Sequence, residues 1–405
     1  MASVAVVLLV AVLAPIAAAI VGHIAKVPLV VFEIVLGMIV GPSVLGWVAA
    51  DHVLDELSTV GLVMLFFMAG HEINFTQIKG RAMKRAALGW AVSLVAGVAV
   101  GIVLARGSID GVYIGIALSS TALGTIMPML RDAGHLRTPF GRSVIAVGAA
   151  GEFLPLLAIS LFLSGRQPMV AALILIVFVI VSGLAIWFAL HQRNHHLNAL
   201  VNASLHTSGQ FAVRLVLLIV VSLVALSLVL GLDLLIGAFA AGILARIVLQ
   251  HSTEADKVTI ERKLEAISFG FLVPAFFIVA GATFDFDSLV ADPQSLILVP
   301  VFLVLLLVVR GIPGAFAAPQ DASWSQRNSL ALFSATGLPI IIAVTGIALD
   351  QHAMAPGVAA ALVGAGMLSV LIFPLLALMG THALAEHSAD TRESLLPKDD
   401  SAGVF

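Results

Sequence analysis

Long apolar runs, each closed by a short polar connection, follow one another along the entire chain. They fall at about 3–22, 28–48, 57–73, 86–105, 111–130, 143–164, 168–190, 214–230, 232–250, 266–284, 294–316, 328–348 and 353–380. As a helix, each run is close to the roughly 20 residues needed to cross a hydrocarbon core of about 30 Å. The pattern predicts an all-α polytopic membrane protein of about 13 transmembrane helices over 1–382. A short polar tail at 383–405 is expected to lack structure. The first run has no basic residue ahead of it, so it is expected to stay as a span and not to be cleaved as a signal peptide.

Composition rules out the soluble alternative. Of the 405 residues, 60% are hydrophobic and only 11% are charged, with a mean hydropathy of +1.13. Soluble domains carry about 25% charged residues. There is no cysteine, which excludes disulfides and thiol chemistry. The net charge of -3 says little, but the placement of the charges says more. Sixteen of the 20 Lys and Arg residues lie in alternate connections and tails, among them Lys26, Lys79, Lys84, Arg131, Arg193, Lys257, Arg327 and Lys398. The other set of connections holds only Arg106 and Arg166. Positive charge collects on the cytoplasmic side, so the N-terminus is expected outside and the C-terminus in the cytoplasm of a cell-membrane protein. The His-rich connection at 192–212 reads as a solvated linker, because its His spacing is too irregular for a metal site.

The two halves resemble each other. FFMAG at 66–70 recurs as FIVAG at 277–281, an offset of 211, and PLLA at 155–158 recurs at 374–377. Ser120 and Thr121 echo Ser334 and Thr336. Gly37 and Gly41 match Gly237 and Gly242 loosely, their spacings differing by one. Matched spans are seven apart, so each pair runs in opposite directions. That is the arrangement of an inverted repeat, a device of alternating-access transporters. The expected division is repeat one at about 28–164, linker spans at 168–230 and repeat two at about 232–380.

The fifth and twelfth runs each place hydroxyls, a Gly and a Pro near mid-membrane (ALSSTALGTIMPML and ALFSATGLPIII). Matched broken helices aim their half-helix ends at a midplane site. Two buried charges have no repeat partner. Glu152 lies about ten residues into the sixth run, where its counterpart is Leu371, and Arg310 lies deep in the eleventh. Intramembrane charges are expensive and are usually functional. The expected site therefore has Glu152 as the proton- and cation-binding group, with Ser120, Thr121 and Thr336 supplying oxygens. Arg310 compensates charge, pairing with or competing for the carboxylate. Glu33, in the second run, is either a structural hydrogen-bonding group or part of an ion path. His71 and Glu72 read as interfacial, and Arg246 as snorkelling.

PLVVFEIVLGMIVGPSVLG at 28–46 and LLIGAFAAGIL at 234–244 resemble the cation:proton antiporter-2 family, which includes bacterial sodium/proton antiporters and Kef-type potassium/proton systems. FFMAGHEINF, ALSSTALGTIMPML and FFIVAGATFDF support the likeness in the same order. The resemblance implies a six-helix core that carries the ion in an elevator movement beside a dimerisation domain, hence a homodimer. It also implies an ion-binding carboxylate at Glu152 and a basic residue at Arg310. Family members commonly have a polar or acidic residue just before that carboxylate, where this chain has Gly151. A single carboxylate favours electroneutral exchange. Gating by a nucleotide-binding domain of the Kef type is not expected.

The reading is thus an antiporter of a monovalent cation, sodium or potassium, and protons, with cation and proton competing at Glu152. It calls for no enzyme activity, no cofactor, no nucleic acid and no partner beyond those ions, the bilayer and a second copy. The rivals are a sodium-coupled organic-anion transporter on a similar inverted fold and a non-transporting membrane protein.

Overall fold

The computed structural model describes residues 2–22, 27–48, 51–73, 80–108, 110–136, 138–163, 166–191, 210–249 and 254–394. Each predicted apolar run forms one helix or a pair of shorter ones, and no strand occurs among the described residues. The first half holds α1 (Ala2–Gly22), α2 (Leu29–Val40), α3 (His52–Glu72), α4 (Arg81–Leu104), α5 (Gly111–Leu118), α6 (Leu123–Asp132) and α7 (Pro139–Phe162). Two linkers follow, α8 (Pro168–His191) and α9 (Phe211–Val229). The second half holds α10 (Leu234–Leu249), α11 (Glu254–Ile267), α12 (Val273–Ala282), α13 (Phe286–Ala291), α14 (Pro293–Leu305), α15 (Ile312–Ala315), α16 (Trp324–Ala335), α17 (Pro339–Asp350) and α18 (Pro356–Ser394).

Among the described residues ten helical stretches are long and apolar enough to cross a membrane; Leu29–Val40, Gly111–Met127 and Leu234–Leu249 are shorter apolar ones. The predicted second span is cut short for a local reason. Helix α2 stops before Gly41 and Pro42, and the chain folds back so that the Trp47 and Val48 amides bond the Val40 carbonyl at 3.0 Å. The last helix runs on to Ser394, so the first part of the expected unstructured tail is helical. The rest of that tail, Lys26, Lys79, Arg193 and most of the His-rich connection lie outside the described residues.

Helix packing falls into two groups. One is built from α1–α3 with α9–α12, and the other from α4–α7 with α14–α18. The first group shows why the glycines of the matched motifs are needed. A Cβ on Gly37 would overlap the Ile278 carbonyl, and one on Gly281 the Ile34 carbonyl. Likewise, a Cβ on Gly242 would overlap the Phe67 carbonyl, and one on Gly70 the Phe239 carbonyl. Helices can touch backbone to backbone only where side chains are absent. The α2–α12 contact is repeated residue for residue by the α10–α3 contact, with offsets of 205 and 211. The loose match of Gly37 to Gly237 is corrected accordingly: the packing pairs Gly37 with Gly242.

Candidate ion-binding site

Both predicted helix breaks are present. Helix α5 ends where the Ser119 and Ser120 hydroxyls donate back to the Ile116 and Ala117 carbonyls at 2.9 and 2.8 Å. Such bonds compete with the helical ladder. Residues 119–122 are non-helical and α6 starts at Leu123. Residue 128 lies inside α6, so the hydroxyl pair marks the break and the downstream proline does not. The second break, 336–338, ends at Pro339, the first residue of α17. Pro suits that position because its missing N–H is unneeded there, and it pushes the preceding residue out of the helical region.

The breaks cross and tie to each other. The Ala122 amide donates to the Thr336 carbonyl at 2.7 Å, and the Thr121 hydroxyl donates to the Ser334 carbonyl at 2.6 Å. Each break is also held by the long helix that follows it. The Thr121 amide donates to the Gly151 carbonyl at 2.8 Å, and the Gly337 amide to Ser369 Oγ at 3.1 Å. In this way the unwound backbone finds protein partners, as the bilayer interior requires.

Glu152 is 1% exposed. The backbone amides of Leu123 and Gly124 face its carboxyl group, and its Oε2 has no partner. Those amides are the first two of α6, so the carboxyl group sits at the positive end of a half-helix. Arg310 is wholly buried, in a π-helical stretch, Leu306–Gly311, of a kind often found at functional positions. Its Nε donates to Thr121 Oγ1 at 2.8 Å and its Nη2 to the Val147 carbonyl at 2.8 Å, while Nη1 has no partner. Among the described residues Arg310 makes no ion pair with Glu152. Of the two expected relations to the carboxylate, pairing or competition, direct pairing is absent here, and Arg310 bonds a hydroxyl and a carbonyl instead. Gly151 has a steric role: a Cβ there would overlap Arg310 Nη2 and Thr121 Oγ1.

The remaining expected residues separate. Ser120 lies beside Gly337 at the crossing. Thr336 is buried and donates its hydroxyl to the Leu332 carbonyl at 3.0 Å. Glu33 lies away from them on α2, against a cavity of about 1020 Å³ at the basic end of the bundle. Glu72 shares that cavity, whose wall reaches Gly124, and one of its oxygens is buried without a partner. The interfacial reading of Glu72 missed this. A signal was available, since at an offset of 211 its counterpart is Thr283, as unmatched as that of Glu152. The Val147 carbonyl carried no such signal, because any residue supplies one. His71 is buried beside Glu261, Nε2 to Oε1 3.3 Å. Arg246 is half-buried, and its Nη1 donates to the His71 carbonyl at 2.6 Å, capping the end of α3.

Crossed broken helices over a buried carboxylate and a buried guanidinium, in an apolar all-helical bundle, define a multi-pass membrane ion transporter. The family model "Sodium/hydrogen exchanger, transmembrane" matches residues 8–378, and the chain belongs to that family of monovalent cation:proton antiporters. It is 27% identical over 393 residues to the putative Na(+)/H(+) antiporter YjbQ of Bacillus subtilis, covering 92% of this chain and 62% of that protein's length. It is 27% identical over 328 residues to the Na(+)/H(+)-K(+) antiporter GerN of Bacillus cereus, covering 79% of this chain and 82% of the relative. The sodium proton antiporter MjNhaP1 of Methanocaldococcus jannaschii has the same fold, with a TM-score of 0.65 at 15% identity over 96% of this chain and 97% of that one.

Proposed function

We propose that the protein exchanges a monovalent cation, sodium or potassium, for protons at one site by alternating access. The observation that carries this is Glu152, a fully buried carboxyl group with one unsatisfied oxygen at the N-terminal end of a half-helix. A carboxyl group there holds a proton or a cation, and the second arrival displaces the first. Oxygens of the crossing near Ser120, Thr121 and Thr336 would complete a shell for a hard cation. If only loaded states cross, the two flows are coupled.

Arg310 acts through the scaffold of the site. It supplies a fixed positive charge near the carboxylate while its hydrogen bonds hold the α5–α6 break against α7. The paired glycine contacts support the inverted repeat, and with it two interchangeable access states. The three shorter apolar helices complete thirteen crossings in this reading, with the N-terminus outside and the C-terminus in the cytoplasm. The organic-anion reading has no support from the family match.

The test is dye-monitored, pH-gradient-driven exchange in vesicles with sodium, potassium and lithium. Glu152→Gln is expected to abolish the cation-triggered proton movement. Full exchange in that variant would overturn the one-site mechanism.

A further inference from the structure

The large cavity leads to the ion site from the basic end of the bundle, and an exchanger must also reach that site from the opposite end. The inverted repeat indicates where. Its two-fold axis lies in the membrane plane, so it maps positions at the basic end of one half onto positions at the opposite end of the other. Residues that wall the one route therefore have counterparts that wall the second. The glycine crossings show that this match holds residue for residue in the packing. Met379 of α18 and Pro28, the residue before α2, both line the cavity. At the offset of 219 that relates PLLA at 155–158 to 374–377, Met379 corresponds to Ser160 on α7. At the offset of 205 that relates Gly37 to Gly242, Pro28 corresponds to Asp233, the residue before α10. Both counterparts are polar where the cavity residues are not.

Ser160 is 2% exposed, and its hydroxyl has no partner among the described residues. Other buried hydroxyls, such as those of Ser93 and Thr345, bond the carbonyl one turn back at 2.9 and 2.8 Å. A hydroxyl denied both protein and water carries a desolvation penalty, which water entering from the outer end would lift. Ser160 follows Phe153 at helical i+7 spacing, so it lies on the same stripe of α7 and about 10 Å nearer the outer end. Phe153, next to Glu152, stacks on Phe239 of α10 with ring centroids 5.0 Å apart. The stack closes the seam between α7 and α10 while the cavity stands open at the basic end. Asp233 Oδ1 accepts from the Leu235 amide at 2.8 Å and caps α10. Asn or Ser would cap as well, so the cap alone does not call for a charge.

We propose that the outer route of the cation to Glu152 runs along the seam between α7 and α10, with Ser160 on its wall and Asp233 at its mouth. There the Asp233 carboxylate raises the local concentration of cations and so sets their affinity from that side alone. This assignment rests on the antiport reading above.

The chain has no cysteine, so single cysteines report the route. Variants in oriented vesicles, under a pH gradient with sodium or potassium present, are exposed to a membrane-impermeant maleimide. Met379→Cys is expected to label from the basic face alone. Ser160→Cys is expected to label from the opposite face alone, at least about tenfold faster than Ser93→Cys, which is buried on α4 away from the seam. An unlabelled Ser160→Cys, or one labelled from the basic face, overturns the proposal. Asp233→Asn keeps the cap and removes the charge. It is expected to raise the cation KM about threefold at the outer face, the scale of one nearby screened charge, and to leave the KM at the basic face unchanged. A merely structural defect would move both, so an equal shift on the two faces, or none, also overturns the proposal. Dye-monitored exchange by the unaltered protein reports the antiport reading separately: no exchange, with Ser160→Cys still labelled from the outer face, sinks that reading and leaves the route.

Discussion

At the site, most of the polar work is done by one hydroxyl. Thr121 accepts from Arg310 and donates to the Ser334 carbonyl, while Ser120 only bonds back within its own helix. Thr121→Val keeps the volume but leaves a buried guanidinium donor and a carbonyl unsatisfied. Such losses cost about 1–3 kcal/mol, more for a charged group. Ser120→Ala strands nothing that the helix does not already satisfy. Thermal unfolding in detergent is expected to show a clearly lower Tm for Thr121→Val than for Ser120→Ala. Equal shifts would remove Thr121 from its central place. The same logic explains Gly151, the position where family resemblance leads one to expect a polar side chain. Arg310 and Thr121 occupy the space that a side chain would need. The sequence marked Glu152 and Arg310 as unmatched charges. It could not tell that they would not pair, because a guanidinium's choice between a carboxylate, a hydroxyl and a carbonyl depends on the local backbone path.

Among helices, the defining contacts are the two glycine-mediated crossings, α2 on α12 and α3 on α10. Placing a methyl where a carbonyl already stands forces the pair apart, and overpacking of this kind costs about 1–3 kcal/mol. Gly242→Ala and Gly37→Ala are each expected to lower Tm by similar amounts, since they occupy equivalent places in the two crossings. Gly346→Ala, with nothing within 4 Å of its added Cβ, should be neutral. A neutral Gly242→Ala beside a damaging Gly37→Ala would speak against the equivalence. The glycines were visible as motifs, but their register was not. A one-residue difference in spacing is invisible in apolar text and decisive in a backbone contact.

For the whole molecule, the open question is orientation, which follows from the distribution of positive charge. The natural chain has no cysteine, so single cysteines report sidedness directly. A membrane-impermeant maleimide is expected to label Ser108→Cys in intact cells and Lys84→Cys only after permeabilisation. The reverse pattern would invert the topology and place the large cavity on the outer side. On the same scale, Arg131 of the second helix group pairs with Glu72 and Glu265 of the first. It is thus an ionic bridge across the boundary that an elevator movement would have to shear.

Apolar run length, charge placement and broken-helix punctuation were decided by the sequence alone, because bilayer thickness and backbone hydrogen-bond satisfaction act on each segment separately. They yielded the all-helical membrane class, the two breaks, and Glu152 and Arg310 as the residues of interest. Tertiary structure decided what depends on distant segments meeting. It set the bonds of Arg310 to Thr121 and Val147, the steric need for Gly151, the true pairing of Gly37 with Gly242, and the joining of Glu33 and Glu72 in one cavity. No local pattern encodes these, because each is a property of the space between helices that lie far apart in the chain.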